Sequence, residues 1–146
     1  MSRTFLDTNV FLYAFLNQDV GKKSVAAKII SDAVRHGCGF VSLQVVNEFC
    51  NVMVKKSGKT LAELLDATRL FGRLRMVDGS LRLEQRALDI KSLYGVQFYD
   101  SLMLSAAESA GCDEILTEDL NDGQMYGSVK PSIHSRDFSE LSALSV

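Results

Sequence analysis

Residues 4–9, with the sequence TFLDTN, place a short apolar run directly before three polar residues. A short apolar run that ends in turn-forming residues is typical of a buried strand in a parallel sheet. Further strands are expected at residues 40–41, 74–77 and 114–117, with a fifth at residues 132–134. Because helical patterns fill the intervals between these runs, the sequence predicts a three-layer α/β/α sandwich around a parallel sheet of about five strands.

The helices are predicted from apolar residues that recur at helical spacing. Ser42, Thr60 and Ser80 each precede such a pattern and suit the N-cap position, while Gly37 is expected to end the second helix. A polar break at residues 17–23 is expected before that second helix. The predicted helices span residues 10–16, from the polar break to about 35, 43–56, 61 to about 72, 81–94 and 98–110.

The length and composition indicate one ordinary globular domain over residues 1–146. The chain has 47% hydrophobic and 23% charged residues with a single proline, which excludes a disordered or collagen-like chain. Sixteen basic and eighteen acidic residues give a net charge of −2, which argues against nucleic-acid binding through bulk positive charge. If four carboxylates bind metal, however, the remaining charged residues have a net charge of +2.

The three cysteines, Cys38, Cys50 and Cys112, are odd in number and include no Cys-x-x-Cys pair. The first residues show no pattern of a secretory signal, and no apolar run approaches the ~20 residues of a membrane span. We therefore expect reduced thiols, a cytoplasmic location and no membrane association.

Acidic residues follow two of the predicted strands. Asp7 comes directly after the first strand, and Asp119 and Asp122 follow the fourth. Since the carboxyl ends of parallel strands share one edge of the sheet, where ligands bind in such folds, these acids are candidate site residues. Two ordinary explanations stay open, because Asp is a common N-cap and acidic turns are frequent.

Two further acids lie on predicted helices. Glu48 lies at the border of the apolar stripe formed by Val45, Phe49 and Val52, although a glutamate stem often packs at such an edge with its carboxylate in water. Asp100 lies in the first turn of its helix, on the same helical face as apolar residues that are expected to be buried. The serines and Glu108 are expected on the opposite face. Alternatively, Asp100 has a purely structural role, because the N-terminus of a helix stabilises a nearby carboxylate.

Carboxylates that converge repel one another and raise each other's pKa unless a divalent cation neutralises them. An all-oxygen set without Cys or His selects Mg²⁺ or Mn²⁺, and Mg²⁺ typically binds phosphate oxygens as well. The sequence contains no GxxxxGK[ST] nucleotide loop. The pattern therefore indicates metal-assisted hydrolysis of a phosphodiester.

Four segments together resemble the PIN-domain family, in particular its VapC-type ribonuclease toxins from toxin–antitoxin pairs. They are FLDTN at 5–9, VNEF at 46–49, YDSL at 99–102 and LTEDL at 116–120. The resemblance covers essentially the whole chain. It implies a Mg²⁺- or Mn²⁺-dependent endoribonuclease, a homodimer and a cognate antitoxin protein that blocks the site.

Carried over by position, Asp7, Glu48 and Asp100 match the three most constant acids of the family, and Asp119 matches the variable fourth. Asp122 is the alternative fourth acid, but Asp119 leaves the strand sooner. The supporting polar positions of the family are matched by Thr8 or Asn9 and by Thr117. In the expected mechanism, one or two metal ions activate water for in-line attack on phosphorus, which yields a 5′-phosphate without use of the RNA 2′-hydroxyl.

Basic residues outside the acidic site are expected to hold the RNA. The candidates are Lys55, Lys56, Lys59 and Arg73, although charged helix faces are usually only solvated. Two other functions stay open at this point. One is a phosphotransfer or phosphatase domain with Asp7 as the nucleophile, and the other is a non-catalytic module that binds RNA or protein.

Overall fold

The computed structural model describes residues 2–16, 19–121 and 123–131. The predicted strand at 132–134 and the side chain of Asp122 lie outside these residues. The strands are β1 (Thr4–Leu6), β2 (Gly39–Ser42), β3 (Arg75–Val77), β4 (Glu114–Leu116) and β5 (Lys130–Pro131). The helices are α1 (Thr8–Phe15), α2 (Val20–His36), α3 (Leu43–Lys56), α4 (Leu61–Thr68), α5 (Leu81–Tyr94) and α6 (Phe98–Ser109), with a 3₁₀ helix at Arg69–Arg73 after α4.

The five strands form one parallel sheet in the order β3-β2-β1-β4-β5, with β1 at its centre. The chain builds the sheet outward from β1 through β2 to β3 and then returns to the other side of β1. Right-handed crossovers in the two directions place their helices on opposite faces. The predicted three-layer α/β/α sandwich is confirmed, and the reversal of direction lies between β1 and β4.

Capping residues determine several of the helix boundaries. Helix α2 begins inside the predicted polar break because Asp19 caps it, accepting a hydrogen bond from the Lys22 backbone N–H at 3.0 Å. Thr60 forms a full capping box with Glu63, and Ser80 also caps its helix. Ser42, in contrast, precedes α3 without any side-chain capping bond. Gly37 ends α2 in the left-handed conformation with φ 63°, which glycine adopts without strain.

A cluster of four phenylalanines fills the core between α1, α3 and the 3₁₀ helix. The ring centroids of Phe11 and Phe71 are 4.7 Å apart, those of Phe49 and Phe71 are 5.2 Å apart, and those of Phe15 and Phe49 are 5.4 Å apart. Phe49 follows Glu48 directly on α3, so this packing holds the helix that carries Glu48. The cluster therefore links the hydrophobic core to the edge of the sheet where the acids lie.

Helix α6 is more deeply buried than its sequence predicts. Leu104 and Ala107 are buried as expected, but Ser101 and Ser105 are buried as well, so the serines do not form an exposed face. Their hydroxyls donate to the Gln97 carbonyl at 3.0 Å and to the Leu83 carbonyl at 2.9 Å. These bonds remove the penalty that otherwise keeps hydroxyls at the surface. Across the described part of the chain, no helix has the length and apolar character needed to span a bilayer.

Candidate active site

Asp7 and Thr117 lie side by side at the carboxyl edge of the sheet. Leu6 pairs with Leu116 in the β1–β4 register, and the Asp7 backbone N–H donates to the Leu116 carbonyl at 3.2 Å. The Thr117 hydroxyl donates to Asp7 Oδ2 at 2.7 Å, and the two residues are only 5% and 2% exposed. Asp7 holds the N-cap position of α1, but its side chain makes no capping bond. Helix capping therefore does not explain this buried carboxylate.

The Asp7 carboxyl holds its proton unusually tightly. Burial raises its pKa from the ordinary value of 3.8 to about 7, and the negative charges of Asp119 and Asp100 add to the rise. The hydrogen bonds from Thr117 and from the Thr8 backbone act in the opposite direction. None of the ion pairs between described residues joins a lysine or arginine to Asp7. A cation close to this carboxyl would stabilise its ionised form and lower its pKa.

Glu48 is held by two hydrogen bonds instead of projecting into water. The Thr8 hydroxyl donates to Glu48 Oε2 at 2.7 Å, and the Gln44 amide donates to Glu48 Oε1 at 2.9 Å. The same Gln44 nitrogen also donates to the Tyr99 backbone carbonyl at 3.0 Å. Gln44 thus joins α3 on one face of the sheet to α6 on the other, and it fixes Glu48 relative to the residue before Asp100.

Asp100 and Asp119 complete an interacting group of four acids. Partial burial raises the pKa of Asp100, and the charges of Asp119 and Glu48 raise it further. Partial burial also raises the pKa of Asp119, with further contributions from Glu118 and Glu48. Asp100 and Asp119 line one cavity of about 450 Å³. Asp119 therefore lies within electrostatic range of the other three acids, and Asp100 lies within range of both Asp7 and Glu48.

The donor chemistry of this group suits a hard divalent cation. All four side chains offer only carboxylate oxygens, and hydroxyl and amide groups orient two of them, as is usual around metal ligands. As the described side chains stand, however, no three Asp, Glu, His or Cys residues are arranged to hold one ion. Side-chain rotation is therefore needed before three or more of these carboxylates can bind the same ion.

The remaining predicted site residues lie in different parts of the structure. Thr8 contacts Glu48, whereas Asn9 lines a different cavity of about 310 Å³ with Tyr13, Asp19 and Lys56. The predicted RNA-binding residues Lys55, Lys56, Lys59 and Arg73 are all exposed. Arg73 lines a groove that also contains Arg35 and Phe15 and no residue of the acidic group. Contact of these four residues with RNA stays a prediction.

Sequence reasoning missed two groups of residues beside the acids. Gln44 lies one helical turn before Glu48, so the i, i+4 spacing was an available signal. The other group brings together distant segments: the Tyr13 hydroxyl donates to Glu118 Oε2 at 2.7 Å, and Lys22 Nζ lies 3.8 Å from Glu118 Oε1. No local pattern predicts that second contact, because it depends on how α1 and α2 pack beside the end of β4.

The fold is similar to several solved structures. A toxin–antitoxin complex from Klebsiella pneumoniae superposes with a TM-score of 0.67 at 15% identity, over 86% of this chain and 94% of that one. VapC20 from Mycobacterium tuberculosis, described as a sarcin–ricin loop cleaving toxin, gives 0.65 at 18% identity, over 88% and 99% of the two chains. DNA-bound VapBC from Salmonella typhimurium gives 0.62 at 17% identity, over 90% and 98%.

These identities establish similarity of fold alone. The comparison with curated proteins gives no match. The model of the PIN domain matches residues 4–122, which include β1, β4 and all four acids. With well over half of its length matched, the chain belongs to the PIN-domain family.

Proposed function

We propose that this protein is a metal-dependent endoribonuclease and the toxin of a toxin–antitoxin pair. The observation that carries the proposal is the group formed by Asp7, Glu48, Asp100 and Asp119, whose charges interact at the carboxyl edge of the sheet. This edge, at the reversal between β1 and β4, is where parallel α/β folds bind their ligands. Family membership and the toxin structures that share the fold support the same activity.

Mg²⁺ or Mn²⁺ would be held by Asp7, Glu48, Asp100 and Asp119. When bound, such a cation lowers the pKa of water and offsets the charge that develops on the phosphoryl oxygens. Asp122, outside the described residues, stays the alternative fourth acid. Either one ion or two would suit the expected mechanism.

The polar neighbours of the acids have orienting roles in this proposal. The Thr117 hydroxyl holds Asp7 Oδ2 and favours its ionised form, because a donated hydrogen bond stabilises the carboxylate. Thr8 and Gln44 hold the two oxygens of Glu48. These bonds limit the rotations open to Asp7 and Glu48, which is how polar neighbours prepare ligands for a metal.

The comparisons with solved structures also support a proposal for the partner protein. Since several structures of similar fold are toxin–antitoxin complexes, we propose a cognate antitoxin as the protein partner. A homodimer, a cytoplasmic location and a single nuclease domain over residues 1–146 are proposed with it. Lys55, Lys56, Lys59 and Arg73 stay the candidate contacts to the RNA substrate.

The phosphotransfer alternative is poorly supported by the position of Asp7. An acyl-phosphate nucleophile must be ionised and reach phosphorus, whereas Asp7 is 2% exposed, has a pKa raised to about 7 and already accepts the Thr117 hydrogen bond. Trapping a phosphoryl group on Asp7 would revive this alternative. Binding of RNA without cleavage at any Mg²⁺ or Mn²⁺ concentration would favour a non-catalytic module instead.

The direct test incubates the purified protein with total RNA and Mn²⁺, with and without a chelator. We expect cleavage that requires the metal and is lost in Asp7→Asn and Asp100→Asn. Asp66→Asn is the matched control, because Asp66 is exposed and forms its ion pair with Arg69 in the next helical turn. Full activity of either site variant would remove that residue from the mechanism, and cleavage in excess chelator would contradict metal dependence.

A second substrate tests the chemistry of attack. An oligonucleotide with a single 2′-deoxy sugar at the cleaved position should still be cut, because the proposed attack does not use the 2′-hydroxyl. The product should carry a 5′-phosphate. A 2′,3′-cyclic phosphate product, with no cleavage of the deoxy substrate, would contradict hydrolysis by an activated water.

A further inference from the structure

A cavity of about 540 Å³ is lined by Glu48, and its lining includes neither Asp7 nor Thr117. Its volume lies within the ~300–1,000 Å³ typical of small-molecule sites. Three elements form its walls: one face of α3, the beginning of α5 and one face of α6, with Val77 at the end of β3 contributing as well. We call it the side cavity, and the residues that carry the argument are Ser42, Gln44, Asn47, Asn51, Glu84 and Tyr99.

Two residues that line the side cavity each have a buried polar atom without a hydrogen-bond partner in the described part of the chain. Ser42 is 7% exposed, and its Oγ has no partner among the described residues. Gln44 Oε1 is also buried and unpaired there, while its nitrogen is used by Glu48 and Tyr99. Buried polar atoms in native proteins are normally paired, so each unpaired one calls for an explanation. A ligand in the cavity that donates hydrogen bonds to these two atoms would explain why the protein leaves them unpaired.

One aromatic residue that lines the cavity is unusually exposed. Tyr99 is 63% exposed although it lies directly before Asp100 in the chain. Proteins that bind single-stranded RNA use exposed aromatic rings as stacking platforms for unstacked bases. The Gln44 bridge joins the backbone of Tyr99 to the carboxylate of Glu48, and both residues line the side cavity.

We propose that the side cavity binds one nucleobase of the RNA strand, next to the phosphate that is cut, and prefers a base with an exocyclic amino group. The proposal rests on the proposed ribonuclease function and adds a residue-level account of substrate choice. Tyr99 stacks on the base, and the polar groups of α3 and α5 contact its edge.

The preference follows from the chemistry of the walls. Glu84 and Gln44 Oε1 offer only acceptors, the Ser42 hydroxyl both donates and accepts, and the amides of Asn47 and Asn51 do the same. Adenine, cytosine and guanine each carry an amino group that donates two hydrogen bonds. Uracil carries a single ring N–H between two carbonyl acceptors. An acceptor-rich wall therefore favours the amino bases over uracil.

The first test measures binding without cleavage. The wild-type protein in excess EDTA is titrated with AMP, CMP, GMP and UMP, followed by NMR of the side-chain amide signals of Gln44, Asn47 and Asn51. We expect at least one amino nucleotide to shift these signals and to bind at least fivefold more tightly than UMP. Equal binding of all four, or shifts confined to other parts of the protein, would overturn the proposal.

Exposed positions supply variants that leave the core intact. Tyr99→Ala should weaken binding of the preferred nucleotide at least fivefold, Tyr99→Phe should preserve it because stacking remains, and Asn51→Leu should reduce the preference over UMP. Leu65→Ala, at an exposed residue of α4 outside the side cavity, is the control and should bind as wild type. If light scattering shows that Tyr99→Ala instead dissociates a dimer without changing nucleotide binding, the cavity belongs to a contact between copies and the proposal is wrong.

Cleavage of a randomised RNA pool in Mn²⁺ separates this proposal from the proposed function. If the wild type cuts with a base preference beside the cleaved bond, and Asn51→Leu relaxes it, both stand. If RNA is cut but the variants keep the wild-type preference, the side-cavity proposal fails alone. If nucleotides bind as predicted but no RNA is cut, the base site stands and the ribonuclease function fails.

Discussion

Replacing Asp7 by asparagine should stabilise the metal-free protein, and more strongly at higher pH. The pKa of Asp7 is raised by burial from 3.8 to about 7, so the folded state disfavours the ionised carboxylate relative to the unfolded state. The gap of about 3 pKa units, at about 1.4 kcal/mol each, corresponds to a destabilisation of about 4 kcal/mol above pH 7. The uncharged amide in Asp7→Asn would remove this cost and still accept the hydrogen bond from Thr117.

The sign of the pH dependence follows from the direction of the shift. Well below pH 3.8 the carboxyl is protonated in both states and carries no penalty. Between pH 3.8 and about 7 the unfolded state releases the proton first, so the penalty grows as pH rises. It reaches about 2 kcal/mol near pH 5 and levels off above pH 7. The advantage of Asp7→Asn over wild type should follow the same curve.

Urea denaturation in EDTA at pH 4, 5, 6, 7 and 8 measures this difference directly. Asp66→Asn serves as the control, because this exposed carboxylate should change the free energy of unfolding by less than about 1 kcal/mol at every pH. Addition of Mg²⁺ should narrow the gap by stabilising the wild type alone. A free-energy difference that does not vary with pH, or a destabilised Asp7→Asn above pH 7, would refute the claim that Asp7 is a buried and electrostatically frustrated acid.

Three further substitutions test the framework that positions the acids. Thr117→Val removes the hydrogen bond that lowers the pKa of Asp7, so NMR titration in EDTA should show a pKa above that of the wild type, and an unchanged value would rule out the orienting role. Phe49→Ala leaves a cavity in the phenylalanine cluster behind α3, so urea denaturation should show a free energy of unfolding about 3–5 kcal/mol lower than that of the wild type. A decrease of less than about 1 kcal/mol would contradict that packing. Gly39→Ala places a Cβ 2.7 Å from the Ala33 Cβ and should cost about 1–3 kcal/mol by the same measurement, so a neutral result would show that α2 moves away freely.

The fold and the positions of the acids were accessible from sequence because both depend on local patterns. Short apolar runs identify β1 and β4, and acids placed directly after parallel strands must lie on one edge of the sheet. The border position of Glu48 and the first-turn position of Asp100 also follow from helical spacing. Whether their carboxylates share an ion depends on side-chain rotations, which spacing does not determine.

Other features depended on contacts between distant segments. The serines of α6 suggest an exposed face, yet Ser105 is buried because the Leu83 carbonyl of α5 accepts its hydrogen bond. Ser42 has the sequence position of an N-cap but does not cap α3, and its hydroxyl lies at the side cavity with no partner among the described residues. Gln44 joins α3 to α6 across 55 positions of sequence. In each case the folded chain determines which hydrogen-bond partner lies near the side chain. A local sequence pattern does not contain that information.

Anomalous diffraction from crystals grown at pH 8 and soaked in Mn²⁺ tests the central claim most directly. The account predicts a manganese peak at the carboxyl edge of the sheet, within about 2.0–2.6 Å of carboxylate oxygens from at least two of Asp7, Glu48, Asp100 and Asp119, and no such peak in Asp7→Asn. A peak elsewhere, or an ordered site in which these four side chains remain apart and bind no manganese, would contradict it.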